Sequence, residues 1–322
     1  MASPIQVQKV ATLTGHQDCV YTLEPGGQPN IFYSASGDGM VVAWDLENPG
    51  QGELVARVST SVYALRWLPE QELLVVGHNH NGLQILDVPG KKIIKSVAIG
   101  GGAFFDIAYA PSLQKIYVGA ADGSLIMLDS REFTVLKVRQ YANKSVRSIA
   151  YNAARNELAI GYSDHFIRIL DADTLELKQE IRAHANSVFT VAYSPNGEFL
   201  LSGSRDAHLK AWQANAGYQE HASIIAHLFT INHIVFSPDS QYFATGSMDK
   251  SVKIWDARTF RLLKVIDKAR HAGHGTSVNK LFWPARVNSL VSCSDDRTIS
   301  VWELNFSLKY ENNTIRDSAK DL

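Results

Sequence analysis

The chain has 322 residues, 31 of them basic and 32 acidic, for a formal net charge of −1. So even a balance supplies no overall field to draw it onto nucleic acid or anionic lipid, and no apolar run approaches the roughly 18 residues a bilayer-spanning helix needs. Its two cysteines, Cys19 and Cys293, offer neither a disulfide framework nor a metal-ligand spacing.

From the amino terminus, the first strand-like run is IQVQKVATL, Ile5–Leu13. After it the chain repeats itself. The runs MVVAWDLE, GLQILDVP, SLIMLDSR, FIRILDAD, HLKAWQAN, SVKIWDAR and TISVWELN follow one another along the sequence. Their anchors are Trp44, Leu86, Leu128, Leu170, Trp212, Trp255 and Trp302, at intervals of 42, 42, 42, 42, 43 and 47 residues. Within each copy, short β-branched and aromatic runs alternate with turn residues; in the sixth they read INHIVFSP, YFATGS, SVKIW and RLLKVID. Such runs, bounded by Ser-Pro, Gly or Asp and without a helical period, predict four strands per unit and an all-β fold.

The copies also share short motifs: GH at Gly15–His16 and Gly273–His274, AH at Ala183–His184 and Ala226–His227, and WD at Trp44–Asp45 and Trp255–Asp256. In motifs and spacing together the sequence resembles the WD-repeat (WD40) β-propeller family over about residues 5–305. Units two, three and four depart from the pattern, lacking the His and carrying Leu for Trp, and are expected to be WD-like blades with looser wiring. A period near 40–45 with four strands per unit is the propeller pattern. The expectation is therefore one domain, 1–305, with repeats at about 12–50, 54–92, 93–133, 134–175, 177–218, 222–261 and 262–305. Residues 5–13 would close the seven-bladed ring by completing the blade begun by Thr276–Leu304, and residues 306–322 would form a polar tail.

Four units carry His, Ser or Thr, Asp and Trp at fixed spacing: His16, Ser34, Asp38, Trp44; His184, Ser202, Asp206, Trp212; His227, Thr245, Asp249, Trp255; and His274, Ser292, Asp296, Trp302. A His, a hydroxyl and an Asp invite comparison with a nucleophilic triad. An active site occurs once, however, and this set occurs four times around a ring. The better reading is structural, with the Asp tightening a hairpin turn and accepting a hydrogen bond from the imidazole. The family resemblance implies that the chain continues through the hydroxyl to the indole N–H, a closed relay of groups that each find a partner. Units three and four keep the turn residue as Asp122 and Asp164, while unit two has His80 in GHNHNG.

Function is then sought where the copies differ. Five residues after the His position stand Tyr21, Tyr63, Phe105, Arg147, Phe189, Asn232 and Asn279. The resemblance implies that these point at the narrow entrance of the central channel, where partners of the family commonly bind. Aromatics and Arg are the residues enriched at binding hot spots. The residues before the turn Asp add Arg205, Met248 and Asp295, with Asn79 beside His80. Two arginines suit a carboxylate or phosphate, and aromatic walls suit an extended side chain or a cation. The competing reading is that the rings are partly buried packing and the arginines merely solvated.

Other motifs are weaker. HAGH (His271–His274) and HNH (His78–His80) lack Cys or Glu at metal-site spacing. Gly100–Gly102 reads as a loop entering a strand rather than a nucleotide fingerprint, and Lys91, Lys92 and Lys95 are too few for a nucleic-acid track. The expected function is non-catalytic binding of a protein or peptide at the aromatic and Arg mouth, with no cofactor and no metal. A propeller enzyme acting at the channel and an RNA- or DNA-binding propeller are the alternatives. With no charged-then-apolar leader in MASPIQVQKVATLTGH, the expected setting is cytoplasmic or nuclear, as a monomer or within a larger complex, and the sequons at Asn143, Asn305 and Asn312 are set aside.

Overall fold

A computed structural model of the chain describes residues 5–80, 82–285 and 288–306. These form seven four-stranded antiparallel sheets. The innermost strands are Val20–Pro25, Val62–Leu68, Phe104–Ala110, Val146–Asn152, Val188–Tyr193, Ile231–Phe236 and Val278–Phe282. Each meets the innermost strand of the next sheet, and the last meets the first, so the sheets are blades 1 to 7 of a closed propeller. Strand Ile5–Leu13 runs antiparallel to Ile299–Phe306, from Ile5 opposite Phe306 to Leu13 opposite Ile299, with a one-residue slip between Lys9 and Ala11. The amino-terminal strand thus forms the outer edge of blade 7 and seals the ring, as expected.

Phe306, expected to open the polar tail, is instead the final residue of that strand and stacks on Tyr242 with ring centroids 4.3 Å apart. The remainder of the expected tail, 307–322, lies outside the described residues. The longest repeat interval is taken up by a short helix, Lys268–His271, whose N-cap Asp267 accepts a hydrogen bond from the Arg270 N–H. Lys9 Nζ, on the closing strand, donates to the Ala272 carbonyl at 3.0 Å. No described helix is long and apolar enough to cross a membrane.

The core is divided between blades. Seven clusters of buried residues each draw on two neighbouring blades: Val118 of blade 3 packs with Val75 and Leu83 of blade 2, and Ile231 of blade 6 with Leu201 and Leu209 of blade 5. A single blade cannot bury its own faces, so the ring must be complete to be stable. The closest interlock pairs a glycine on the second strand with the branched residue opening the next blade. A Cβ on Gly119 would stand 2.4 Å from Val146 Cγ1, and one on Gly203 would stand 2.6 Å from Ile231 Cγ2.

Blades 2, 3 and 4 are wired differently from the rest. Where the other blades place a hydroxyl and an indole, these place Val76 and Leu86, Val118 and Leu128, and Ile160 and Leu170, all fully buried. The hydroxyl and indole have been exchanged together for branched apolar residues while blades 3 and 4 keep the turn Asp, so the looser wiring expected of these blades is an apolar packing at those two positions. A buried network replaced together by apolar groups of suitable shape leaves nothing unsatisfied.

Candidate functional site

In blades 1, 5, 6 and 7 the repeated polar residues form hydrogen-bonded chains. Trp255 Nε1–H donates to Thr245 Oγ1 at 2.9 Å, Thr245 lies 2.7 Å from His227 Nε2, and His227 Nδ1 lies 2.9 Å from Asp249. An indole only donates and an ionised carboxylate only accepts. The hydroxyl therefore donates to Nε2, and the neutral imidazole donates from Nδ1. The chain repeats as Trp44, Ser34, His16 and Asp38; as Trp212, Ser202, His184 and Asp206; and as Trp302, Ser292, His274 and Asp296.

Burial holds His16, His184 and His227 below the ordinary imidazole pKa, against a smaller upward pull from their aspartates. Burial alone would raise the Asp249 carboxyl, but hydrogen bonds from His227, Ser251 and the Leu228 N–H bring it well below the usual range. Each of these aspartates also accepts the N–H two residues on, as does Asp122 from Ser124 and Asp164 from Phe166. Blade 4 lacks the imidazole, and there Arg168 Nη2 bonds the Asp164 carboxylate at 2.8 Å.

The residues that differ between blades converge on one recess of about 280 Å³ at the channel mouth. It is lined by Tyr21, Tyr63, Phe105, Arg147, Phe189, Asn232 and Asn279. One backbone feature places all seven. The pairing of each innermost strand with its neighbour slips by one residue at that position, between Val20 and Thr22 in blade 1 and between Val146 and Ser148 in blade 4. The same slip recurs in blades 2, 3, 5, 6 and 7. Each mouth residue is thus the extra residue of a β-bulge, which frees its side chain from the pleat and re-aims it.

Around the ring these side chains form an arc. Tyr21 and Tyr63 have centroids 4.8 Å apart, and Tyr63 and Phe105 5.7 Å. The Arg147 guanidinium then lies 4.4 Å from the Phe105 centroid and 4.2 Å from that of Phe189. Five consecutive blades are joined in this way. The two asparagines close the circle differently: Asn232 Nδ2 donates to the Val278 carbonyl at 2.8 Å, and Asn279 Nδ2 to the Val20 carbonyl at 2.9 Å and Asp295 at 2.7 Å. Both line the mouth, with amide donors already engaged in stapling blade 6 to 7 and blade 7 to 1.

Arg205 and Met248 stand on the exposed rim, outside the recess lining. Below the mouth residues runs a polar layer that the repeat spacing did not single out: Asp106, Ser148, Thr190, His233 and Lys280, each the residue following a bulge. Comparison of that column between copies would have found it. Lys280 Nζ is 3.8 Å from Asp106, and His233 is held neutral, first by burial and then by the nearby Lys280 and Arg66 cations. His233 Nδ1 accepts the Leu281 N–H at 3.2 Å.

Among the described residues no group of three or more His, Cys, Asp or Glu is placed to hold a metal ion. His80 N–H donates to His78 Nδ1 within its own turn. The family model described as WD domain, G-beta repeat matches residues 7–45, 175–213, 219–256 and 267–303, the four stretches that contain the hydrogen-bonded chains. No curated protein matches the chain.

Proposed function

This chain belongs to the WD-repeat family of β-propellers, and we propose that it is a non-catalytic scaffold that binds a protein or peptide at the channel mouth. Members of the family generally act as protein-interaction scaffolds. The observation that carries the reading here is the contiguous arc of Tyr21, Tyr63, Phe105, Arg147 and Phe189 around an open recess. The rings are braced against one another rather than sunk in the blade cores, and no hydroxyl of Tyr21 or Tyr63 is hydrogen-bonded among the described residues. A surface rigid before the partner arrives loses little side-chain entropy on binding.

Combining Tyr21→Ala, Tyr63→Ala and Phe105→Ala tests this. In affinity capture from native lysate the wild-type chain retains a partner, and the variant loses it while keeping its circular dichroism and a cooperative melt. Aromatic anchors each contribute about 2 kcal/mol or more at such sites. Survival of the complex in the folded variant would place the binding surface elsewhere.

A further inference from the structure

The Arg147 guanidinium carbon lies over two rings at once, 4.4 Å from the Phe105 centroid and 4.2 Å from that of Phe189, an arrangement that leaves guanidinium N–H groups to seek acceptors elsewhere. No described residue accepts a hydrogen bond from it or pairs with its charge. Burial presses its pKa downward, and the neighbouring charge that bears on it is Arg205's, of like sign. The guanidinium stays protonated all the same. A partly dehydrated cation beside a second cation is unfavourable until an anion joins it. The slot between Phe105 and Phe189 that would have suited a partner's cation is filled by the protein's own.

The far side of the mouth is not equivalent. Across the ring, on blades 7 and 1, Asp295 accepts from Asn279 at 2.7 Å and Asp18 from the Cys19 N–H at 2.7 Å. Neutral donors do not cancel a carboxylate's charge, so the mouth is polarised, cationic on blades 4 and 5 and anionic on blades 7 and 1.

Beside it lies an apolar rim. Ile225, Leu228, Phe229 and Met248 are 74%, 82%, 58% and 54% exposed. The patch is continuous with the turn that carries Arg205, because Ala207 accepts the N–H groups of Ala226 and His227. The Met248 N–H in turn donates to Thr230 at 2.9 Å. At the same place in the other His-bearing loops stand Gln17 and Asp18, Ala185 and Asn186, and Gly275 and Thr276. Only the blade 6 loop offers Leu and Phe.

Resting on the mouth being the binding surface, we propose that its occupant is an extended peptide segment bearing an oxyanion, a carboxylate or a phosphoryl group, next to an apolar side chain. The oxyanion sits against the Arg147 edge with Arg205 beside it, and the apolar side chain lies on Leu228, Phe229 and Met248.

Arrays of short immobilised peptides, randomised except for a central Glu, phosphoserine, Gln or Lys, test this with purified protein. Expected is retention on the Glu or phosphoserine peptides, the stronger arm identifying the oxyanion, with Gln and Lys at background. Arg147→Met then weakens retention at least about tenfold, as loss of a charged hydrogen-bonded contact does. Arg147→Lys recovers part of it, and Leu228→Ser with Phe229→Ser lowers it again. Should Arg147→Met melt early, Arg205→Glu asks the same question on an exposed side chain, and unchanged retention there overturns the proposal. Equal binding to Gln peptides, or preference for Lys, overturns it while leaving the mouth as the site if Tyr63→Ala still abolishes binding. Retention on no array, or retention indifferent to Tyr63→Ala, overturns both readings.

Discussion

Two arcs of one ring solve the same packing problem with opposite chemistry. Blades 5, 6, 7 and 1 close their interiors with a Trp, hydroxyl, imidazole and carboxylate chain, whereas blades 2, 3 and 4 put Leu at the indole position and Val or Ile at the hydroxyl position. The polar arc also carries the asparagine staples; most of the aromatic and Arg mouth, Tyr63, Phe105 and Arg147, stands on the apolar arc. At the hydroxyl and indole positions either interior is complete in itself. What neither tolerates is a mixture, because a lone hydroxyl among methyl groups, or an indole N–H facing a methyl, is a buried polar group without a partner.

The sharpest way to break the comparison is to carry one residue across it. Thr245→Val in blade 6 puts an apolar group of nearly the same shape where two partners depend on a hydroxyl, orphaning the Trp255 N–H and His227 Nε2 together. At about 1–3 kcal/mol for each of the two unsatisfied groups, the loss should reach roughly 2–6 kcal/mol. Urea denaturation with the wild type alongside reads it. A variant as stable as wild type would mean that the chain contributes nothing to the polar arc.

Within the apolar arc the strongest expected effect is steric. Gly119→Ala sets a methyl 2.4 Å from Val146 Cγ1 and 3.0 Å from Val146 Cβ, on the seam between blades 3 and 4. Neither atom lies at the end of a flexible side chain, so the blades must part, at about 1–3 kcal/mol. The reciprocal exchange, Val118→Thr, is expected to cost about 1–2 kcal/mol, since a single hydroxyl enters a site with no Trp or His to meet it. Equilibrium unfolding of both variants tests whether close packing or polar closure limits this half of the ring.

The ring and its fasteners were legible because they recur. Seven anchors at near-constant intervals, and His, hydroxyl, Asp and Trp in fixed register, are patterns one chain can display against itself. The mouth column was legible as a position but not as a geometry. Nothing in VYT, VYA or FFD announces a bulge, for no Gly or Pro marks it. The contacts of Arg147 depend on residues 42 positions away on either side, brought beside it only by the packing of consecutive blades. Asn232 and Asn279 look like adaptable contacts until their amides are seen bonded to the next blade. Leu228 and Phe229 escaped notice because they sit just after the fastener His, in a loop column overshadowed by the motif itself.

The smallest expected effect separates the arcs by pH. His16, His184 and His227 are held neutral by burial in the folded chain, below the roughly 6.5 of an unfolded imidazole. As pH falls past that value the unfolded state takes up protons that the folded state refuses, so stability present at neutral pH is progressively lost. The lowered carboxyls of Asp38, Asp206, Asp249 and Asp296 act in the same direction further down, from about pH 4, the ordinary Asp range. Most of these shifts belong to the polar arc; the apolar arc has one lowered imidazole, His78 in blade 2, and one lowered carboxyl, Asp171 in blade 4. Hydrogen exchange read blade by blade, corrected for the intrinsic rate, should therefore show protection falling between about pH 7 and 5 in blades 1, 5 and 6 more than in blade 3, which has no histidine. Uniform loss around the ring would show that blades unfold only together, and that the different wiring of the two arcs is averaged over the whole propeller.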